Sequence, residues 1–380
     1  MLEYVTAGES HGSSLVAIVT GLPAGLKIDR QRLDGLMARR QGGYGRSVRQ
    51  KMERDRATFL SGVRKGVTTG NPISLRVANK AKTLSKLPPV NRPRPGHADL
   101  AGVLKFGHDA DARDVLERSS ARETAVRTGV GALAAIFLAE FGIEVFGHVV
   151  RLGPVKFGSA KLGPGKLSAN VRDSSPFFSL DPARDKKARA AVDAAAEDGD
   201  TLGGLIEIVA TGVPPGLGSN VQVDRRLDGQ WAAALMAIPA MKGVEFGIGF
   251  SAATRRGSKV HDRIRQNRDG LLCRPTNRAG GLEGGMSNGQ PLIARIAMKP
   301  LSTLRKPLES VDLRTKRRQD AHFERSDVTA VPAASVIAEA VTAFVLARAF
   351  REKFGGDSMG EVRRNYDGYL GQIAAHWQPG

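Results

Sequence analysis

Two stretches of this chain share one frame, and that repetition limits what it can fold into. Gly8-Glu9-Ser10-His11-Gly12 is echoed by Gly199-Asp200-Thr201-Leu202-Gly203, with leucine in place of the histidine. The echo continues in order. Leu15–Leu26 (LVAIVTGLPAGL) matches Leu205–Leu217 (LIEIVATGVPPGL), each reading as a strand, a glycine-proline turn and an exit. Arg32-Leu33-Asp34 then matches Arg226-Leu227-Asp228, and Gly70-Asn71-Pro72-Ile73 matches Gly289-Gln290-Pro291-Leu292. Last, Glu117-Arg118-Ser119 matches Glu324-Arg325-Ser326. Two long copies describe a duplication rather than a stacked array. The expectation is a single domain over residues 1–380 made of two related halves, about 1–150 and 199–355, with a site near their junction. The additional length of the first copy is assigned to the proline-rich basic stretch Lys86–Asp99.

Periodicity predicts strands at Leu15–Thr20, Ile73–Ala78, Val145–Leu152, Leu205–Thr211 and Leu292–Ala297. It predicts helices at Gln31–Arg40, Arg122–Phe141, Pro182–Glu197, Arg225–Met236, Ala333–Lys353 and Met359–Ala374. Ser120 with Glu123 forms a capping box for the second of these helices. Strands and helices do not alternate cleanly enough for a doubly wound sheet, so the fold class is α+β. Gly129-Val130-Gly131 followed by Ala134 imitates a dinucleotide fingerprint, but it lies inside an amphipathic helix and reads as packing.

The net charge is +19, and a field of that sign draws in anions. Nucleic acid, a membrane face and small phosphorylated ligands all qualify. Aromatic residues make up only 5% of the chain, which argues against base stacking, and no nucleic-acid motif stands out. No apolar run is read as long enough to span a bilayer, and the first residues lack a signal-peptide pattern. The lone Cys273 excludes an internal disulfide, and the cytoplasm is the expected compartment. No cluster has metal-ligand spacing.

Arginines instead gather beside glycine and proline. Arg39, Arg40, Arg46 and Arg49 flank Gly42-Gly43-Tyr44-Gly45, Arg92 and Arg94 precede His97, and Arg118 and Arg122 bracket the start of the capped helix. A guanidinium fork grips phosphate or carboxylate at two points, and helix N-termini add aligned N–H groups. His11 and His97 lie in loops among these cations, where an imidazole can pass a proton to an anion. A third reading, a phosphate-binding structural protein, leaves both histidines unexplained. The glycine-rich loop Asn277–Gly289 and the segment Lys299–Thr303 are two further places where backbone can approach a ligand.

Taken together, Gly8–Gly12, Arg94–Asp99, Glu117–Thr124, Gly280–Leu292 and Arg325–Pro332 resemble the chorismate synthase family, in the right order from Met1 to about Gly360. The resemblance implies a lyase that converts 5-enolpyruvylshikimate-3-phosphate to chorismate by trans-1,4-elimination of phosphate, in the shikimate pathway of aromatic amino acid biosynthesis. It implies reduced FMN without net redox change, since no carbonyl acidifies the departing C6 hydrogen. It implies that His11 protonates the leaving phosphate, that His97 protonates reduced flavin near N1, and that Ser10 and Asp327 tune proton movement around N5. Arg40, Arg46, Arg49, Arg94, Arg122 and Arg325 would grip the substrate. Flavin contacts would fall on Arg118, Ser119, Ser120, Pro239, Ala240, Gly284, Lys299, Pro300, Leu301, Ser302, Thr303 and Arg325. The implied fold is a β-α-β sandwich, antiparallel sheets around central helices, assembled as a homotetramer. Nothing resembles a flavin-reductase region, so reduced flavin is expected from an external source, with NADPH as one source of reducing equivalents.

Overall fold

The computed structural model describes residues 1–377 apart from 48–53, 82, 161–166, 268–271 and 325; Arg49 and Arg325 therefore lie outside the described residues. The first half opens with strands β1 (Glu3–Ala7) and β2 (Ser14–Thr20), helix α1 (Arg30–Gln41), and strands β3 (Ala57–Phe59) and β4 (Ile73–Ala78). They form an antiparallel sheet in the order β1-β2-β4-β3. Helices α2 (Asp99–Phe106), α3 (Arg113–Ser119) and α4 (Thr124–Ala139) follow. The second sheet uses β5 (Glu144–Leu152), β6 (Val155–Lys156), β7 (Gly204–Thr211), β8 (Met241–Phe246) and β9 (Leu292–Met298) in the order β8-β9-β7-β5-β6, also antiparallel. Helices α5 (Asp185–Glu197), α6 (Leu227–Met236), α7 (Val331–Phe354) and α8 (Met359–Trp377) complete the main elements.

The two sheets run through their strands in matching order. β2 and β4 are central neighbours in the first, and β7 and β9, which carry the echoing blocks, are central neighbours in the second. Alternation explains their placement: Leu15, Ala17 and Val19 of β2 and Ile73, Leu75 and Val77 of β4 are buried, while Ile18 faces out. α4 packs on the first sheet, α7 on the second, and the two helices on each other.

Glycine permits that last contact. A Cβ on Gly131 would lie 2.3 Å from the carbonyl oxygen of Ala340, and one on Gly129 would meet Leu75 at 3.1 Å. The false dinucleotide fingerprint is thus where α4 touches α7 and the sheet. α7 corrects one expectation above: by length and composition it could cross a membrane, although its most apolar stretch is 94% buried within the protein. A helix packed on several sides must be apolar nearly all round.

The predicted strands and helices are present with ends shifted by up to three residues. Two details of the capped helix differ. A short 3-10 turn, Ala121–Glu123, precedes α4, and Ser120 Oγ accepts from the backbone N–H of Arg122 rather than Glu123. Glu123 reaches Thr6 instead of closing the box. α2 and α3 have no counterpart among the predicted elements. They pack through a separate small cluster of Val90, Val103, Ala112 and Leu116, too brief to show periodicity.

Close packing at Gly131 is testable. Gly131→Ala is expected to destabilise the protein by about 1–3 kcal/mol through overpacking. Gly35→Ala, in α1 with nothing within 4 Å, is expected to stabilise it by roughly 0.5–1 kcal/mol. Thermal denaturation of both variants checks the contrast.

Candidate active site

The loop between β1 and β2 turns sharply because Gly8 adopts φ +111°, where a Cβ would stand 2.5 Å from the Ser14 carbonyl. The loop is pinned from two sides. Asn79 Nδ2 donates to the carbonyls of Glu9 and Gly12, and the Ser10 N–H donates to the Glu117 carbonyl. His11 is thereby set over α3, where its ring Nδ1 lies 2.9 and 3.0 Å from the two Glu117 carboxylate oxygens. The backbone N–H of His11 donates to the same carboxylate at 2.8 Å. Burial would raise Glu117, but hydrogen bonds from the ring and backbone of His11, with the charges of His11 and Arg113, hold it below the usual range.

His97 has a parallel arrangement. Its Nδ1 lies 2.5 Å from Asp99 Oδ1, at the first residue of α2, and Arg94 binds both oxygens of that carboxylate, through Nε at 2.8 Å and Nη2 at 3.0 Å. Burial opposes ionisation of Asp99, yet the His97 and Arg94 hydrogen bonds and charges carry it far below an ordinary aspartate. Arg94 also donates to Thr303 Oγ1 at 2.9 Å, tying the His97 loop to the Lys299–Thr303 segment.

Both histidines open on one cavity of about 470 Å³. Arg40, Arg46, Arg94, Arg122 and Lys299 line it, against the carboxylates of Glu324 and Asp327. Ile238, Leu301, Ala330, Ala333, Ala334 and Ile337 supply an apolar wall. Of the residues expected at the site, Ser10, Ser119, Ser120, Pro239, Ala240, Ser302 and Thr303 also line it. Arg118, Gly284 and Pro300 are not among the lining residues. Arg118 instead donates to the carbonyls of Thr6 and Gly8, holding the β1–β2 loop, and Gly284 sits in the turn between Leu282–Glu283 and Met286–Ser287. Ala240 adopts φ +69°, uncommon for a residue with a Cβ, and its carbonyl accepts the Lys299 N–H.

The arginines are held from behind. Asp55, wholly buried, accepts Arg40 Nη1 at 3.0 Å on one oxygen and Arg122 Nη1 at 2.5 Å on the other. Arg40 also donates to Thr124, and Arg122 to Asn79. Burial pushes Arg40 down to about 10; Asp55 opposes this and the charges of Arg46 and Arg122 add to it. Arg46 pairs with Asp327 at 2.6 Å, whose other oxygen accepts the Ser47 N–H. Ser120 Oγ donates to Ser10 Oγ at 3.2 Å.

Sequence pattern alone does not single out Asp55, Asp99, Arg113, Glu117 or Glu324 as working side chains. Asp99 and Glu117 stand inside conspicuous motifs, two residues from His97 and at the start of a repeated block, so a signal exists. Asp55, between Arg54 and Arg56, carries none. Leu202, the counterpart of His11, shows what the echo does: its N–H donates to Val328, and neighbouring Thr201 Oγ1 donates to the Leu301 carbonyl.

The charge layout has consequences for stability. Asp55→Asn leaves two buried guanidinium groups facing one another, an expected loss of about 3–5 kcal/mol; inorganic phosphate is expected to restore part of it, read by thermal shift. The hydrogen bond from His322, opposed by burial and aided by Arg113, lowers Glu324 from 4.5 to about 2. A depressed carboxylate stabilises fully above its unfolded value and loses that contribution as pH falls through the folded one. Stability is therefore expected to drop between pH 4.5 and about 2, and Glu324→Gln to flatten the fall in a melting-temperature profile.

Comparison with known proteins agrees across the chain. The family model described as chorismate synthase matches residues 2–350. The sequence is 53% identical to a chorismate synthase of Desulforudis audaxviator, covering 99% of both chains. It is 52% identical to one of Geobacter sulfurreducens, over 99% of this chain and 100% of that protein. It is 50% identical to one of Mycobacterium avium, over 100% and 98%. A solved structure titled "Crystal Structure of Chorismate Synthase" superimposes with a TM-score of 0.80 at 39% identity, covering 99% of this chain and 98% of that one.

Proposed function

This chain belongs to the chorismate synthase family, and from that premise we propose that the arginine-lined cavity is the active site, with His11 as the acid for the departing phosphate. The family's reaction turns 5-enolpyruvylshikimate-3-phosphate into chorismate and phosphate, a trans-1,4-elimination in the shikimate pathway that requires reduced FMN without net redox change. The C3–O bond to phosphate breaks, and the C6 hydrogen leaves as the ring gains its second double bond.

The residues present suit a flavin mononucleotide. The apolar wall of Ile238, Leu301, Ala333, Ala334 and Ile337 gives a face for a flat ring system, and Ser119, Ser120, Ser302 and Thr303 give polar edges. Lys299 suits a phosphate: its ammonium has only a 3.5 Å hydrogen bond to the Pro300 carbonyl among the described residues, and burial with the charge of Lys242 lowers it. When bound, reduced FMN supplies electron density for loss of phosphate and a basic position for the departing hydrogen.

Everything else falls to this chain. Arg40 and Arg122, braced by Asp55, and Arg46, braced by Asp327, present cations to an anionic substrate. Their geometry is fixed before the substrate arrives, so little reorganisation accompanies the build-up of charge on phosphate. Glu117 accepts the Nδ1 proton of His11, and proton delivery is then assigned to Nε2. His97 holds a proton beside the cofactor region through Asp99, and Ser10, Ser120 and Asp327 form the nearby polar contacts. Arg49 and Arg325 are proposed as further substrate ligands, and Arg325 as a flavin ligand, on the resemblance alone. Arg118, Gly284 and Pro300 are retained as flavin-proximal positions on the same basis.

The finer architecture is part of the proposal. A β-α-β sandwich of duplicated halves is supported by matching strand orders in the two sheets and by α4 and α7 packed between them. For the homotetramer, Val5 and Ile18, paired across β1 and β2 and exposed, offer an apolar surface. A cytoplasmic enzyme fed by an external reductase, with NADPH as a reductant, completes the reading.

The observation that carries the function is that two histidines, each on a buried carboxylate, open on one arginine-lined cavity. His11→Ala and His97→Ala are each expected to slow anaerobic phosphate release roughly 10²–10⁴-fold while substrate binding changes little. Near-normal release from either variant removes that histidine from the mechanism.

A further inference from the structure

The two glutamates that occupy matching places in the repeated blocks, Glu117 and Glu324, share one guanidinium. Arg113 Nη1 lies 2.7 Å from Glu324 Oε1 and 3.5 Å from Glu117 Oε1. They differ in what they hold. Glu324 faces His322 at 3.3 Å and is partly exposed at the cavity wall. Glu117 is fully buried behind the cavity, and both of its oxygens are turned to His11.

A carboxylate can accept on both oxygens, and both of Glu117's lie within reach of Nδ1. The backbone N–H and the ring Nδ1–H of the same residue converge on it. The pair of contacts fixes the imidazole's rotation and its tautomer, with Nδ1 protonated and Nε2 turned away from α3. Glutamine of the same shape turns an NH₂ group toward one of these donors in either orientation, and it carries no charge to answer them. Arg113, itself buried and anchored to Glu324 and to the Pro88 carbonyl, supplies the counter-charge that keeps Glu117 ionised in this interior.

We propose that Glu117 is the positioning residue of His11: it fixes the ring's tautomer and aim without touching substrate or cofactor. The inference rests on the acid role given to His11 above. It also accounts for the difference between the halves. Where the echo carries Leu202 in place of histidine, the matching Glu324 has become a partner of Arg113 and His322 instead.

The test is a double-mutant cycle in the full-length enzyme with saturating reduced FMN, read as anaerobic single-turnover phosphate release. Glu117→Gln is expected to slow release roughly 10²-fold with substrate binding within about threefold of wild type. On the His11→Ala background the same substitution is expected to cost nothing further, because Glu117 acts only through His11. A merely structural role predicts equal losses in both backgrounds, and that result, or a Glu117→Gln enzyme of near-normal rate, overturns the proposal. A His11→Ala enzyme that releases phosphate normally overturns the acid role itself and the positioning role with it. Should Glu117→Gln fail to fold, Glu117→Asp, which keeps the charge one methylene short, replaces it. A loss with Asp that vanishes on the His11→Ala background supports the proposal, and an additive or absent loss refutes it.

Discussion

An arginine held inside a protein stays charged, and burying that charge is tolerable only where a counter-ion lies within reach; the placement of those counter-ions organises this molecule. Asp55, Asp99 and Glu117 all sit behind the cavity wall, out of contact with it, and each holds one or two cationic or imidazole groups that face inward. Around these three the wall is therefore layered, carboxylate behind and guanidinium or imidazole toward the cavity, while Glu324 and Asp327 reach the cavity itself. The donors facing the cavity are thus fixed in geometry from behind.

That layering joins early and late parts of the sequence. Arg46 of the first half is fixed by Asp327 of the second, Arg94 by Thr303 as well as Asp99, and Arg113 by Glu324. Between those parts, α4 and α7 pack on each other at Gly131. The echo motif is tied in nearby: Thr201 bonds the backbone of Leu301, which lines the cavity, and Leu202 bonds that of Val328, next to Asp327. One of the two matching motifs carries the histidine, and the other holds Leu301 and Val328.

Much of this is legible in the order of the amino acids. Repeated blocks and a period of two or near 3.6 mark the long strands and helices, because each must bury one face or, for α7, nearly all of itself. The two histidines and the glycine-flanked arginines are legible because their residue types and loop settings are costly without a ligand to meet. What escapes is local or distant. α2 and α3 are too short for a periodic signal and depend on a four-residue cluster. Asp55 pairs with Arg122 across 67 positions, and no feature of Arg54-Asp55-Arg56 announces that contact. Glu117 is visible as part of a repeat, but the 106 positions between it and His11 hide its purpose.

One arginine-lined cavity is thus assigned an elimination that needs reduced flavin yet consumes none. That assignment is tested most directly by an anaerobic assay of wild-type enzyme with 5-enolpyruvylshikimate-3-phosphate and a small amount of reduced FMN, following phosphate, chorismate and the flavin spectrum together. The account predicts phosphate and chorismate in equal amounts, many turnovers per flavin, and flavin still reduced at the end. No phosphate release with active reduced flavin, or one flavin oxidised for each product formed, would contradict it.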